Sequence, residues 1–538
     1  MRLSRYDSEA ERLSRGWTPR NTNRNRETGQ ETFFSLMSLL RGRRPDFRAA
    51  FIGVLRWFSR SSAGWGHYRA WWLVGTLRFM LAQHPAQAQT APSARPPAPP
   101  QPSRNAYRHS DRPNLVLIVA DDLGWGAIGC HGQKEISTPN IDRLATEGMR
   151  FTQAYAGSPV GAPSRCSLLT GKHSGHARIR STDEIPLQSE DLTVAQVLRS
   201  AGYRTAAVGT WGLGGQNTPG HPRSQGFEEF YGYLTRTEAY HYYPATLWRN
   251  EQPIPLIGNN RGGQKVYSPD EFNLVATNVV RQFQAEPFFF LYTPTLPHAN
   301  IELGTNGMEI PNAGVYATKP WPQPERNKAA MIGRLDEDVG RLLAALKFYQ
   351  LEQETIILFT SGNGPHAEGG CATNFFHETG PFRGQKRELY EGGLRVPWLV
   401  RWPGKIRAGS TSERVVAFWD LFPTFAELAR TPIPSGLDGL SFAPTLRGHP
   451  QTNQADHFYW ESHDGGYRQA VRWDDWKAIR LDAGKALELY DLKADLGETN
   501  NIAAAHPELL ARAESLLLTS AHPWIKPVSP DPAPSPSK

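Results

Sequence analysis

Cysteine is scarce in this chain of 538 residues: Cys130, Cys166 and Cys371 are the whole complement. Three cysteines cannot build a disulfide framework, and none stands in a C-x-x-C pair that would suggest zinc or redox work. Lysine is absent from residues 1–112, which hold 19 Arg against 7 acids, a balance of +12. The whole chain carries only +7, so the remainder stands at −5. A mildly acidic body lacks the basic face that a nucleic acid requires, and no nucleic-acid partner is expected. The apolar run in "RAWWLVGTLRFMLAQHPAQAQT" (69–90) is broken by Arg78 and falls short of the ~20 apolar residues that span a bilayer, so no transmembrane span is expected. A dinucleotide fingerprint is missing too, because "GLGGQN" after the strand at 205–209 lacks the Gly-x-Gly-x-x-Gly spacing.

What remains is the text of a large globular protein. Hydrophobic residues make up 39% and aromatics 11%, enough for a sizeable core, while 43 Pro and 49 Gly imply many loops. Residues 1–68 form an Arg-rich extension, disordered or preceding the true start. Residues 69–88 have an Arg flank, an apolar run and a closing Ala-Gln-Ala, the layout of an export signal displaced from Met1, which points to a periplasmic or secreted protein. A Pro-rich linker covers 89–112, and 526–538 reads as a tail.

Between them, strand and helix patterns alternate. "NLVLIVADD" (114–122) is a short continuous apolar run ending in two carboxylates, the signature of a buried parallel strand. Helical patterns ("TPNIDRLATEGM", "TVAQVLRSAGY", "RLDEDVGRLLAALKFY") alternate with strand patterns ("RTAAVG", "PFFFLYTP", "TIILFTSGN", "PWLVRW"). This predicts an α/β fold: a mainly parallel central sheet flanked by helices over 113–438, with chemistry at the carboxyl ends of the strands. Over 439–525 the texture changes to short antiparallel strands ("DHFYWES", "YRQAVRWDDWKAIRL", "KALELYDL") and a closing helix, which predicts a smaller C-terminal subdomain.

The residues able to do chemistry cluster at those strand ends. Asp121 and Asp122 offer hard oxygen ligands suited to Ca²⁺ or Mg²⁺. Asn363 follows another strand in "TSGNGP", with Gly362 beside it. Arg165, in "GAPSRCSLLTGKH", lies where a helix begins, a position that favours an oxyanion. His298 ends a strand and Lys386 precedes one. The pair His173 and His176 in "HSGH" lacks further ligands and reads as surface or structural.

These pieces, in this order, resemble the sulfatase family of the alkaline-phosphatase superfamily over most of residues 113–525. The resemblance rests on "PNLVLIVADDLGWG", "TPNIDRLATEGMRF", "PSRCSLLTG", "AVGTWGLGG", "GFEEFYGYL", "YYPATLWRN", "PHAN", "FTSGNGP", "YEGGLRVPWLVRWPGKI" and "LYDLKADLGET". It is strongest to arylsulfatase-type and N-acetylgalactosamine-sulfatase-like members. In that family a Cys in Cys-x-Pro-Ser-Arg becomes formylglycine, whose hydrate attacks sulfur while calcium and cationic side chains stabilise the developing charge. The resemblance implies a sulfuric ester hydrolase of aryl or sugar sulfates, with a sulfated small molecule or glycan as partner. It makes Asp121, Asp122 and Asn363 calcium ligands, puts Arg165 beside the nucleophile, and sets His298 and Lys386 on the sulfate.

The departures from the family are as informative. Gly161 occupies the formylglycine position and offers no β-carbon to oxidise, so no formylglycine is expected there. Cys166 lies behind the Arg, outside the motif that is modified. Gly362 replaces a metal-binding Asp, and Thr210 replaces the sulfate-binding Lys of Gly-Lys-Trp. Gly212 replaces a His that some branches also lack. A further active-site His is expected in "TRTEAYHYYP", at His241 or replaced by Tyr240. Losing a nucleophile from a catalytic unit costs factors near ~10⁶, so hydrolysis is expected to be impaired or absent, with calcium binding weakened and the fold intact. The alternative is a non-catalytic pseudosulfatase that holds a sulfated or otherwise anionic ligand.

Overall fold

The computed structural model describes residues 112–524, all within one compact unit. The Arg-rich extension, the export-signal layout, all but the last residue of the Pro-rich linker and the tail lie outside the described residues. The chain supplies the strands β1 (Asn114–Ala120), β2 (Met149–Phe151), β3 (Ala154–Tyr155), β4 (Arg204–Thr210), β5 (Glu229–Tyr233), β6 (Thr246–Arg249), β7 (Gln252–Pro255) and β8 (Phe288–Thr293). After these come β9 (Thr355–Ser361), β10 (Trp398–Arg401), β11 (Ser410–Ser412), β12 (Val416–Ala417), β13 (Phe458–Ser462), β14 (Arg468–Trp473), β15 (Trp476–Arg480) and β16 (Glu488–Asp491).

Ten of them form one sheet in the order β11-β2-β10-β9-β1-β8-β4-β5-β6-β7. Its centre, β9-β1-β8-β4-β5, is parallel throughout, and antiparallel pairings begin on either side at β10 and β6. Every residue of β1, β8 and β9 is buried, because helices cover both faces. Alternation along β1 divides the core: Val116 and Ile118 pack with the helices Ser268–Phe283 and Gln323–Phe348, while Leu115 and Leu117 pack with Gly161–Thr170 and Leu421–Leu428. The helix Val194–Ser200 starts on a capping box, in which the Thr193 hydroxyl accepts from the Gln196 amide and the Gln196 side chain accepts from the Thr193 amide.

A separate antiparallel sheet, β13-β14-β15-β16, carries the helix Pro507–Thr519 on one face through Ala513 and Leu517. It is tied to the main body by Lys477, fully buried, whose ammonium lies 2.9 Å from both Glu391 and Glu498. The architecture is the expected one: a large, mostly parallel sheet with flanking helices and a small antiparallel sheet after it.

Candidate active site

Parallel strands present their carboxyl ends along one edge, and the chemistry-bearing residues leave the sheet there. Ala120 pairs with Ser361 at the last register position of β1 and β9, so Asp121 and Asp122 emerge beside Gly362 and Asn363. The Leu123 amide donates to the Ser361 hydroxyl, which donates to the Asn363 carbonyl, each at 2.9 Å, and this fixes the two strand ends together. Thr210 closes β4, and His298 follows β8 a few residues on. The helix Gly161–Thr170 aims its uncapped N-terminus at the same edge, with Pro163 placed where an amide proton would have no helical partner. The result is a cleft whose lining includes Asp121, Asp122, Gly161, Arg165, Thr210, His298 and Lys386.

Charge is tightly organised around Lys386. Its ammonium donates to Asp122 Oδ2 at 2.7 Å and to Glu368 Oε2 at 2.9 Å, and lies 3.2 Å from His298 Nε2. Glu368 also pairs with Arg387 at 2.6 Å. Burial opposes ionisation of Asp122, but Lys386 and then His298 outweigh it and hold that carboxyl far below its ordinary range. The same balance raises Lys386: burial works against its charge, and Asp122 and Glu368 more than restore it. Asp121 shifts the other way, raised by burial, with the neighbouring Asp122 charge adding to it. Arg165 is held by the Trp211 carbonyl, 2.8 Å from its Nε.

The substituted positions differ in what surrounds them. A β-carbon on Gly161 would lie 2.9 Å from Arg165 Nη1 and 3.6 Å from Asp121 Oδ1, so a side chain there would start beside Arg165 and Asp121. On Gly362 it would meet only the Ala120 carbonyl at 3.6 Å and Val119 Cγ1 at 4.0 Å. Gly362, Thr210, Arg165 and Asp121 line one shallow recess. Thr210 turns its hydroxyl to Thr295, 3.2 Å away. Gly212 is different: its φ of 68° suits glycine, and a β-carbon would come within 2.7 Å of Arg165 Nη2.

The donor set suits a hard cation in part. Asn363 is fully buried and donates from Nδ2 to Asp122 Oδ1 at 2.7 Å, while its own Oδ1 has no partner. An orphaned buried amide oxygen beside two carboxylates is what a bound cation would satisfy. Asp121, Asp122 and Asn363 would hold Ca²⁺, and Gly362 adds no oxygen to them.

Several expectations are placed differently. His241 is half-exposed and pairs with Glu302 at 3.5 Å, outside the cleft. Tyr240 lines the cleft instead, its ring 5.7 Å from that of His298 and within 16° of parallel, because the 3₁₀ turn Glu238–Tyr240 directs residue 240 inward. Cys166 packs in the core, and burial raises its thiol to about 11. His173 and His176 do meet a third metal-ligand type, Asp438, with His176 Nδ1 2.8 Å from its carboxylate. However, His173 Nδ1 accepts the Gly175 amide, which leaves the ring proton on Nε2, the nitrogen facing Asp438. That is the hydrogen bonding of a structural junction. Glu368, Arg236 and Thr182 contribute to the cleft or its charge without standing out in the sequence.

A parallel edge that sets cations beside buried aspartates at a helix N-terminus suits the binding of an oxyanion. The Sulfatase profile matches residues 113–431, more than half of the chain, and the chain belongs to that family. A second profile, N-sulphoglucosamine sulphohydrolase, C-terminal, matches residues 378–516. Human arylsulfatase A is 33% identical over 469 residues, covering 76% of this chain and 88% of that protein. N-acetylgalactosamine-6-O-sulfatase of Bacteroides thetaiotaomicron is 29% identical, over 76% of this chain and 93% of its own. Among solved structures, Ps i-CgsB in complex with k-i-k-neocarrahexaose is 27% identical with a TM-score of 0.66, covering 76% of this chain and 93% of its own. Among the described residues no helix is long and apolar enough to cross a membrane.

Proposed function

We propose that this sulfatase-family chain binds the sulfate ester of a sugar or aryl compound in the cleft and is impaired or inactive in hydrolysing it. The observation that carries the reading is Gly161: the missing β-carbon points at Asp121 and Arg165, where a nucleophile would have to stand. Arg165 and Lys386 supply positive charge to the sulfate oxygens, with His298 beside them. Lys386 is held at its ammonium by Asp122 and Glu368, so it is positioned before any ligand arrives. Ca²⁺ bound by Asp121, Asp122 and Asn363 would add positive charge beside the ester oxygens. None of these groups can replace a covalent nucleophile, and the usual sulfo-enzyme cannot form. A protein that retains its ligand without turning it over is the second reading, favoured by the same glycine. The export-signal layout at 69–88 supports a periplasmic or secreted location.

The test is to incubate the chain with 4-nitrophenyl sulfate, follow binding by calorimetry, and map any covalent sulfate by mass spectrometry. Binding without an adduct is expected, and it should weaken at least tenfold in Arg165→Ala. A sulfate adduct on the peptide containing residue 161 would overturn the proposal.

A further inference from the structure

Among the cations lining the cleft, Arg236 is arranged unlike the others. Lys386 and Arg387 share Glu368, and Arg165 faces Asp121 and Asp122. Arg236 has no carboxylate within ion-pair distance among the described residues, and its Nε is buried without a hydrogen-bond partner. The acid nearest to it in sequence is committed elsewhere: Glu238 accepts the Leu234 and Thr235 amides and the Trp248 indole. The guanidinium instead lies over the Tyr240 ring, Cζ 5.6 Å from its centroid, and Tyr240 in turn stacks on His298. Tyr240 thus touches both the sulfate-facing histidine and Arg236, each within 6 Å of its ring.

An arginine with a buried, unpartnered Nε, packed on an aromatic ring and without a counter-charge, is costly unless a ligand completes it. Its planar fork matches the paired oxygens of a sulfate or carboxylate. We propose that Arg236 binds a second anionic group of the ligand, so that the cleft takes a saccharide carrying one sulfate ester and, beside it, another sulfate or a carboxylate. This rests on the reading of the cleft as a sulfate-ester site. Tyr240 is the positioning residue: in contact with both His298 and Arg236, it holds the guanidinium beside the site of the first anion.

The experiment is calorimetric titration of the full chain with galactose 6-sulfate, galactose 2,6-disulfate and glucuronic acid 2-sulfate, repeated on Arg236→Gln and Arg236→Lys. Each doubly charged sugar selected by Arg236 should bind at least tenfold tighter than the monosulfate. That advantage should vanish in Arg236→Gln and survive in part in Arg236→Lys, with an unchanged thermal unfolding midpoint certifying the fold of both variants. Preference for the disulfate or for the uronate identifies the second anion. Equal affinity for one and two charges, or an advantage undiminished in Arg236→Gln, overturns the proposal while leaving the sulfate site standing. Failure of the monosulfate to bind at all overturns the sulfate site itself and this inference with it.

Discussion

Replacing Gly161 by Cys is the most direct perturbation of this molecule, because it completes Cys-x-Pro-Ser-Arg with Pro163, Ser164 and Arg165 already in place. Sterically the change is mild. The new β-carbon would approach Arg165 Nη1 to 2.9 Å, and that atom is the free end of a side chain anchored at its Nε, so a shift of a few tenths of an ångström relieves it. Removing a glycine from the helix Gly161–Thr170 offsets part of this, by at most about 1 kcal/mol. Stability should therefore change little. The chemical ceiling is much larger: a restored nucleophile recovers up to ~10⁶ in rate, about 8 kcal/mol of barrier. Gly161→Cys alone should reach only part of that, since a missing charge-stabilising contact costs about 10²–10³. Adding Thr210→Lys and Gly362→Asp, at two positions that line the same recess, should recover more. The assay is 4-nitrophenyl sulfate turnover by protein produced with a formylglycine-generating enzyme, with the aldehyde verified by hydrazide labelling. Turnover by the unsubstituted chain, lost in Arg165→Ala, would refute the reasoning; so would a folded, aldehyde-bearing triple variant with no activity.

Other consequences can be measured separately. Gly362→Asp adds a charged oxygen where a β-carbon meets nothing closer than 3.6 Å, and should tighten Ca²⁺ binding by about 1.5–3 kcal/mol, roughly tenfold or more, in a calcium titration. Lys386→Met takes the cation from buried Asp122 while Glu368 keeps Arg387, and should cost about 3 kcal/mol in denaturant unfolding; unchanged stability would contradict the ion-pair account. Asp338, buried beside the Tyr292 hydroxyl at 2.8 Å, is raised to about 7 by burial. The folded chain then keeps a proton that the unfolded chain releases near pH 4, so this contribution is complete below about pH 4 and is lost as pH rises toward 7. Asp338→Asn should remove up to about 4 kcal/mol of that pH dependence, read from unfolding curves at pH 4.5 and 7.5.

The parts of the fold and site that the sequence reveals are those with a local cause. Continuous apolar runs announce β1, β8 and β9 because helices bury both faces, and parallel pairing then brings Asp121, Thr210, His298 and Asn363 to one edge. Arg165 follows from its place in the first turns of a helix. Tyr240 is harder, since a three-residue 3₁₀ turn obeys neither the strand nor the helix period, and a one-residue register error exchanges it with His241. Glu368 reaches Lys386 from a loop without regular structure, through a contact that only the tertiary fold creates. The antiparallel direction of β10 is likewise set by its connection, since its composition matches that of a parallel strand.

The ammonium of Lys386 sits among Asp122, Glu368 and His298, three groups close enough together to hold a metal. A counter-ion attached to the backbone cannot be washed out, chelated or diluted. This corner of the chain stays electrically satisfied in surroundings poor in divalent ions, and an incoming cation there has to compete with a resident that is always at hand.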